Sequence, residues 1–310
     1  MTSWRMLLQE ADLIAIDWGS SNFRAFLLNR KGVVLQKKDS HAGLLNLTES
    51  YPVTFQQQIG DWLSAYPSVP VLMCGMVGSA HGWQEIPYLT CPLSIFALAQ
   101  GIRAIHYPER DIRIVPGLCL QTPDRYDVMR GEETKVIGSY RPEISSQLFC
   151  LPGTHSKWVH IKDHQLINFT TYFTGELFSL LVNHSILAKQ ITPQQTSDWD
   201  AFDQGMRDAN RSRALLSDIF TVRPRVLFQA LATSSIKDYL SGLLIAHEIM
   251  EAQPYWELHQ KITLLANTTL SERYARAFQQ FNLTVQELDV DAAITDGLLS
   301  LAIESNLLKR

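Results

Sequence analysis

The chain is short of cysteine, of clustered charge and of long apolar runs, and each shortage closes off a class of protein. Its four cysteines, Cys74, Cys91, Cys119 and Cys150, make no Cys-x-x-Cys pair, and each lies in or beside an apolar stretch. Small buried hydrophobes in a reducing compartment account for them better than a disulfide frame or a zinc site. No His-x-x-x-His spacing occurs, so nothing calls for a transition metal. Lysine and arginine number 27 against 31 acidic residues, a net charge of −4, without a basic block of five or six. Charge therefore advertises neither a nucleic-acid nor a membrane-surface partner. At the N-terminus, Leu13 to Ile16 is too short for a secretory apolar region and is flanked by Glu10, Asp12 and Asp17. A cytoplasmic location is expected.

Charge is also missing locally. Trp62 to Ile102 holds a single charged residue, Glu85, where the usual fraction of charged residues would place several. Prolines at 67, 70, 87 and 92 and glycines at 75, 78 and 82 interrupt this stretch too often for a membrane span. The expectation is a segment shielded from water, in a core or a crevice wall.

What remains is an ordinary globular composition, 46% hydrophobic over 310 residues, without repeats or low-complexity tracts. Leu13–Ile16 reads as a strand, Gly19 to Asn22 as a turn and Phe23–Leu28 as a second strand, with Val33–Leu35 after a break at Lys31-Gly32. Val71–Met73 and Ile112–Val115 look like short buried strands. A second strand–turn–strand follows, Leu148–Leu151, Pro152 to His155, then Trp158–Ile161. Beyond it Glu176–Lys189, Ala201–Ala209, Ile236–Ala252 and Ser271–Phe281 have helical spacing. Strand-like Ile262–Ala266 and Leu283–Leu288 alternate with them, and a last helix covers Ala292–Leu308. This alternation predicts an α/β protein of two similarly built halves, divided near residue 140.

Three segments carry the chemistry. In Asp17-Trp18-Gly19-Ser20-Ser21-Asn22-Phe23-Arg24, a turn of glycine and hydroxyls can aim N–H and Oγ groups at a phosphate. Asp17 is placed to hold Mg²⁺, directly or through water, and Arg24 to offset charge on a phosphoryl group. A plain hairpin would use the same residues. Gly153-Thr154-His155-Ser156-Lys157 offers a second such turn. Two of them could grip one nucleotide. Arg130-Gly131-Glu132-Glu133-Thr134-Lys135 reads as the first turn of a helix. There acids suit the macrodipole and Glu132 can pair with Lys135, or one carboxylate serves as general base. Glu132 and Glu133 are not separable on this ground. Gly75, Met76, Val77, Gly78 and Ser79, with Gly82 and Trp83, form a glycine-rich loop that a ligand or a packed backbone could approach closely.

Asp17 to Ala25 resembles the first phosphate loop of the actin/hexokinase/heat-shock-chaperone ATPase superfamily. A wider ordered set resembles the 2-dehydro-3-deoxygalactonokinase family: Ile16 to Ser20, Gly75 to Ser79 with Gly82-Trp83 and Pro87-Tyr88, Val115 to Leu118, and Met129 to Thr134. Pro152 to Trp158, Thr174 to Leu177 and Leu240 to Ile245 continue it, from about residue 12 to 303.

That resemblance implies ATP-dependent phosphorylation of the 6-hydroxyl of 2-dehydro-3-deoxy-D-galactonate, a step of galactonate catabolism. It implies two domains of ribonuclease H-like mixed sheets flanked by helices, with an interdomain cleft. Residues 1–138 completed by a crossover helix at 291–310 would form one domain, and 139–290 the other. Asp17, Arg24 and Glu133 or Glu132 would be catalytic. Gly19, Ser20, Ser21, Asn22, Gly153, Thr154, His155, Lys157, Asn267 and Thr268 would hold ATP. Gly75, Met76, Val77, Gly78, Trp83, Tyr88 and Arg130 would line the sugar-acid side, with Asp17 on Mg²⁺. Arg130 and Lys157 both suit the substrate carboxylate.

Two departures stand out: Leu151 and Pro152 replace the usual acid before the second loop, and Asn267 stands where glycine is expected. Asn can accept left-handed geometry there. Another sugar acid such as 2-dehydro-3-deoxygluconate, a phosphohydrolase, a nucleotide or sugar sensor, and a monomer or homodimer all remain open.

Overall fold

The computed structural model describes residues 10–193, 196–256 and 261–309. They divide into two compact units, residues 1–145 with 161–168 and 289–310, and residues 146–160 with 169–288.

The first unit begins with β1 (Leu13–Trp18), β2 (Phe23–Leu28) and β3 (Val34–Ser40), then α1 (Tyr51–Ala65) and β4 (Val71–Cys74). Short β5 (Leu89–Thr90) and β6 (Leu93–Ser94) precede α2 (Ile95–Gln100), β7 (Arg103–Ile105) and β8 (Ile112–Ile114). A hairpin of β9 (Leu118–Thr122) and β10 (Arg125–Met129) leads into α3 (Glu132–Ser139). The main sheet has the order β3-β2-β1-β4-β8-β7, and a small one the order β10-β9-β5. β1 pairs antiparallel with β2 and parallel with β4, with Asp17 opposite both Arg24 and Cys74. Every residue of β1 and β4 is buried, as fits interior strands covered on both faces.

The second unit carries β11 (Ser146–Leu151), β12 (Ser156–Lys162), β13 (Gln165–Tyr172) and α4 (Thr174–His184). It continues through α5 (Trp199–Ser212), α6 (Leu215–Leu227), α7 (Ile236–Glu251) and α8 (Gln253–Trp256), to β14 (Ile262–Leu264), α9 (Thr268–Gln280) and β15 (Val285–Glu287). Its strands run in the order β15-β14-β11-β12-β13. The tip of the β12–β13 hairpin belongs to the first unit, where Leu166 pairs with Leu93. Helix α7 forms the spine of the second core, with Tyr239, Leu240, Leu243 and Ala246 fully buried.

The chain then returns to the first unit as α10 (Val290–Glu304), which Asp289 caps by accepting the Ala292 N–H at 2.7 Å. This cap starts the helix two residues before the predicted Ala292. A Cβ on Gly297 would lie 2.0 Å from the Thr134 carbonyl, and one on Gly138 2.0 Å from that of Ala293. Helices α10 and α3 thus cross with their backbones nearly in contact.

Two expectations need correction. Helix α4 stops at His184 rather than Lys189, with a separate 3₁₀ turn at Ala188–Gln190. The charge-poor stretch is not uniformly shielded: Val71–Cys74 is core, whereas Tyr88 is 39% and Phe96 59% exposed. Much of that stretch is uncharged surface. Helix α1 is absent from the helical segments predicted above. Its buried Phe55, Ile59, Trp62 and Leu63 nevertheless follow i, i+4, i+7, i+8 spacing.

Candidate active site

Strand β1 delivers Asp17 to the edge of the β1–β2 turn, 6% exposed. The turn closes through the Gly19 N–H donating to the Asn22 carbonyl, and the N–H groups of Leu44 and Leu45 anchor the carbonyls of Gly19 and Ser20. Ser21 and Asn22 are exposed. Arg24, predicted to meet a phosphoryl group, instead donates to Asp17 Oδ2 and to Asp291 Oδ1, the latter at 3.2 Å. Lys135 Nζ lies 3.9 Å from the same Asp17 oxygen.

Glycines bring the other two motifs of this unit against Asp17. Gly75 has φ +94°, and a Cβ there would lie 2.7 Å from the Trp18 carbonyl and 3.2 Å from Asp17 Oδ1. Gly131 has φ +106°, and its Cβ would meet Gly75 Cα at 3.1 Å. Only glycine fits such approaches at positive φ.

Immediately after Gly131, α3 starts with both candidate acids. Glu133 is fully buried and both its carboxylate oxygens accept the Gly131 N–H, at 2.9 and 2.7 Å; Oε1 also accepts from Thr134 Oγ1. Burial, and secondly the charge of Glu132, raise its pKa to about 7. Glu132 is half-buried and accepts the Arg130 N–H at 3.1 Å.

The predicted sugar-acid residues divide. Arg130 contacts the Gly75–Tyr88 loop: its Nη2 donates to the Ile86 carbonyl at 2.7 Å, and its guanidinium carbon lies 4.2 Å from the Tyr88 ring centroid. Gly78 leaves room for it, since a Cβ there would lie 3.0 Å from Arg130 Nη1. Met76 is half-buried. Val77, by contrast, is core, and Trp83 packs edge-on against Trp18, Phe55 and Tyr107. Those two side chains serve packing.

In the second unit, the turn between β11 and β12 borders a cavity of about 430 Å³. Gly153 lines it, and a Cβ at Gly153 would meet nothing within 4 Å. The Glu176 N–H donates to the Thr154 carbonyl, and His155 pairs with Glu176 at 2.5 Å while stacking on Phe173. Lys157 is buried, with Nζ donating to the His155 carbonyl at 3.2 Å. Asn267 is extended, φ −65° and ψ 162°, and caps α9 by accepting the Leu270 N–H at 3.0 Å. The left-handed geometry that Asn could accept there is not adopted. The cavity wall falls on Thr269, Leu270 and Arg273 instead of Asn267 and Thr268, together with Thr174 and Asp238. Ser241, Leu244 and Ile245 of the Leu240–Ile245 motif also line it, but Asp238 and Arg273 lie in stretches of helical periodicity that give no sign of a cavity.

All four cysteines are free. Among the described residues, no three or more His, Cys, Asp or Glu side chains are grouped to hold a metal ion, and no helix is long and apolar enough to cross a membrane.

Mixed sheets flanked by helices in both units, with an acid on a glycine hairpin in the first, define an actin/hexokinase-like ATPase fold. An activator of 2-hydroxyisocaproyl-CoA dehydratase from Clostridium difficile, solved with bound ADPNP, shares that fold at a TM-score of 0.53 and 11% identity, covering 96% of this chain and 98% of that one. A sequence model of the 2-keto-3-deoxy-galactonokinase family matches residues 17–301, and the chain belongs to that family. It is 38% identical over 293 residues to 2-dehydro-3-deoxygalactonokinase of Escherichia coli (strain K12), covering 94% of this chain and 98% of the relative. A crystal structure described as a putative 2-dehydro-3-deoxygalactonokinase from Sinorhizobium meliloti superposes with a TM-score of 0.86 at 32% identity, over 94% of this chain and 98% of that one. Membership makes the chain a phosphotransferase with an alcohol acceptor and implies the use of ATP.

Proposed function

We propose that the chain transfers the γ-phosphoryl group of ATP to the 6-hydroxyl of 2-dehydro-3-deoxy-D-galactonate, in galactonate catabolism. The observation that supports this best is the meeting of three separated motifs around Asp17. The β1–β2 turn, the Gly75 loop and the Gly131–Glu133 helix start all lie within contact of one another. Phosphoryl transfer needs such an acid-lined, glycine-cleared corner, because catalysis is mostly positioning and charge compensation.

In this assignment the first unit takes the sugar acid and the second the adenine nucleotide, the latter in the cavity beside Gly153, Thr269 and Arg273. Gly153 and Thr154, on the turn that borders this cavity, serve the phosphates. Among the described residues no three metal-ligating side chains are grouped, so Asp17 fits Mg²⁺ that is held largely by phosphates and water. The metal, when bound, would offset phosphate charge. Arg24 and Lys135 hold the Asp17 carboxylate in place. A glutamate of α3 accepts the hydroxyl proton. Glu133 has the raised pKa suited to that task, and Glu132 the exposure. A cytoplasmic enzyme fits this role.

A coupled assay with Mg-ATP and 2-dehydro-3-deoxygalactonate tests the assignment. Sugar-dependent ADP release is expected. ADP release without sugar would identify a phosphohydrolase, and none in either case a sensor. Running the gluco epimer beside the galacto substrate decides stereochemistry.

A further inference from the structure

Arg130 is 8% exposed, and two of its three guanidinium nitrogens, Nε and Nη1, have no hydrogen-bond partner. Its Nη2 is spent on the Ile86 carbonyl, and its backbone N–H on Glu132. Among the described residues no carboxylate pairs with the guanidinium. A buried, always-charged group with idle donors is costly unless an anion completes it.

The surroundings hold this cation ready for one. Gly78 opens the space beside Nη1, the Ile86 carbonyl fixes the guanidinium from one side, and the Tyr88 ring lies over its face. Tyr88 is 39% exposed, so the cover is itself at the surface. Gly117 seats that ring, since a Cβ there would lie 2.7 Å from it. Arg130 also directly precedes Gly131 and the two candidate bases. Lys157, the other cation suited to a carboxylate, has its ammonium on the His155 carbonyl.

We propose that Arg130 is the receptor for the substrate's carboxylate, which takes up the idle donors Nε and Nη1. The site thereby selects a 2-oxo acid over neutral sugars. This rests on the sugar-acid kinase assignment above. Fixing the C1 end on Arg130 aligns the far hydroxyl, so the contact acts chiefly on substrate binding.

The test compares wild type, Arg130→Gln and Arg130→Lys on 2-dehydro-3-deoxygalactonate and on its neutral C1 amide. The wild type should prefer the acid by about 10²-fold or more in kcat/KM, as expected for a site built around a charged contact. Arg130→Gln should bring acid and amide to within a few-fold, by raising KM for the acid while KM for ATP holds. Arg130→Lys, which keeps the charge, should retain part of the preference. It also carries the comparison if circular dichroism shows the Gln variant unfolded. Equal losses on acid and amide, or a fall in kcat with KM for the acid unchanged, would overturn the proposal and leave the kinase assignment intact. A wild type that phosphorylates neither compound overturns both.

Discussion

Asp17 and Arg24 face each other across the β1–β2 ladder, and the guanidinium donates to Asp17 Oδ2. Arg24 is therefore a partner of the acid. Its other edge reaches Asp291 on α10. Asp17→Asn removes the charge but keeps the shape, and kcat should fall about 10²-fold or more. Arg24→Gln should cost less, about 10-fold, since Lys135 still lies near the acid. Because the two act as one unit, the double variant should be little worse than Asp17→Asn alone. Losses that multiply in a steady-state double-mutant cycle would separate them.

Glu133 supplies a pH signature. Its pKa in the folded protein is raised to about 7 by burial and by Glu132. Between its ordinary value of 4.5 and about 7 the folded state holds a proton that the unfolded state has released, so this group's contribution makes stability decline as pH rises through that window. Glu133→Gln should remove that decline, visible as a flatter urea midpoint against pH. If Glu133 is the base, kcat/KM of the wild type should climb toward a plateau above about pH 7. The Gln variant should lose the limb and about 10²-fold in kcat. Normal turnover in Glu133→Gln, with the loss in Glu132→Gln, would move the base by one residue.

The legible parts of this protein were those encoded by neighbours in sequence. The strand–turn–strand at Leu13–Leu28 declares itself through β-branching and turn residues, and the loop from Gly75 through its closely spaced glycines; the positive φ of Gly131 shows only in the structure. The partner of Arg24 was not legible, because turn chemistry says nothing about which way a long side chain folds back. The role of Asn267 was missed for a related reason: Asn both tolerates left-handed backbone and caps helices, and only the observed φ of −65° decides. Cavity residues Asp238 and Arg273 were hidden in helical periodicity. Their ion pair spans 35 positions.

Gly297 is a packing requirement at the α3–α10 crossing. A methyl group there would sit 2.0 Å from the Thr134 carbonyl, which no rotamer change relieves because both partners are backbone. Gly297→Ala should lower unfolding free energy by about 1–3 kcal/mol or more. It should also displace the first turn of α3, which carries Glu132 and Glu133, so kcat falls in the fraction that remains folded. Urea titration beside steady-state kinetics measures both. A variant as stable as wild type would show that the helices part without consequence.

Asn267 gives a milder case. Replacing it with Ala removes the acceptor for the Leu270 N–H and should cost about 1 kcal/mol, whereas Gly should cost only a few tenths. Leu270 lines the cavity proposed for the nucleotide, so KM for ATP should rise in Asn267→Ala and hold in Asn267→Gly. The ordering Ala worse than Gly in thermal midpoint checks the cap.

Glu248, 2% exposed on α7, collects four donors: Ser156 Oγ at 2.7 Å, Trp158 Nε1 at 2.9 Å, Tyr274 Oη at 2.7 Å, and Thr174 Oγ1. The donors lie 92, 90, 26 and 74 positions away in sequence and come from β12, α9 and α4. One carboxylate therefore ties the strand after the second glycine turn to two helices that wall the cavity, since Thr174 and Tyr274 both line it. Burial raises its pKa, while the four donors oppose that shift by favouring the ionised form. Glu248→Gln halves the acceptors and turns an NH₂ toward groups that only donate here, which should destabilise the protein by about 3 kcal/mol or more. If the cavity takes the nucleotide as proposed, loosening this knot should raise KM for ATP well beyond any change in KM for the sugar acid. Equal effects on the two KM values, in protein verified as folded, would mean that Glu248 supports the unit as a whole and not the nucleotide cavity.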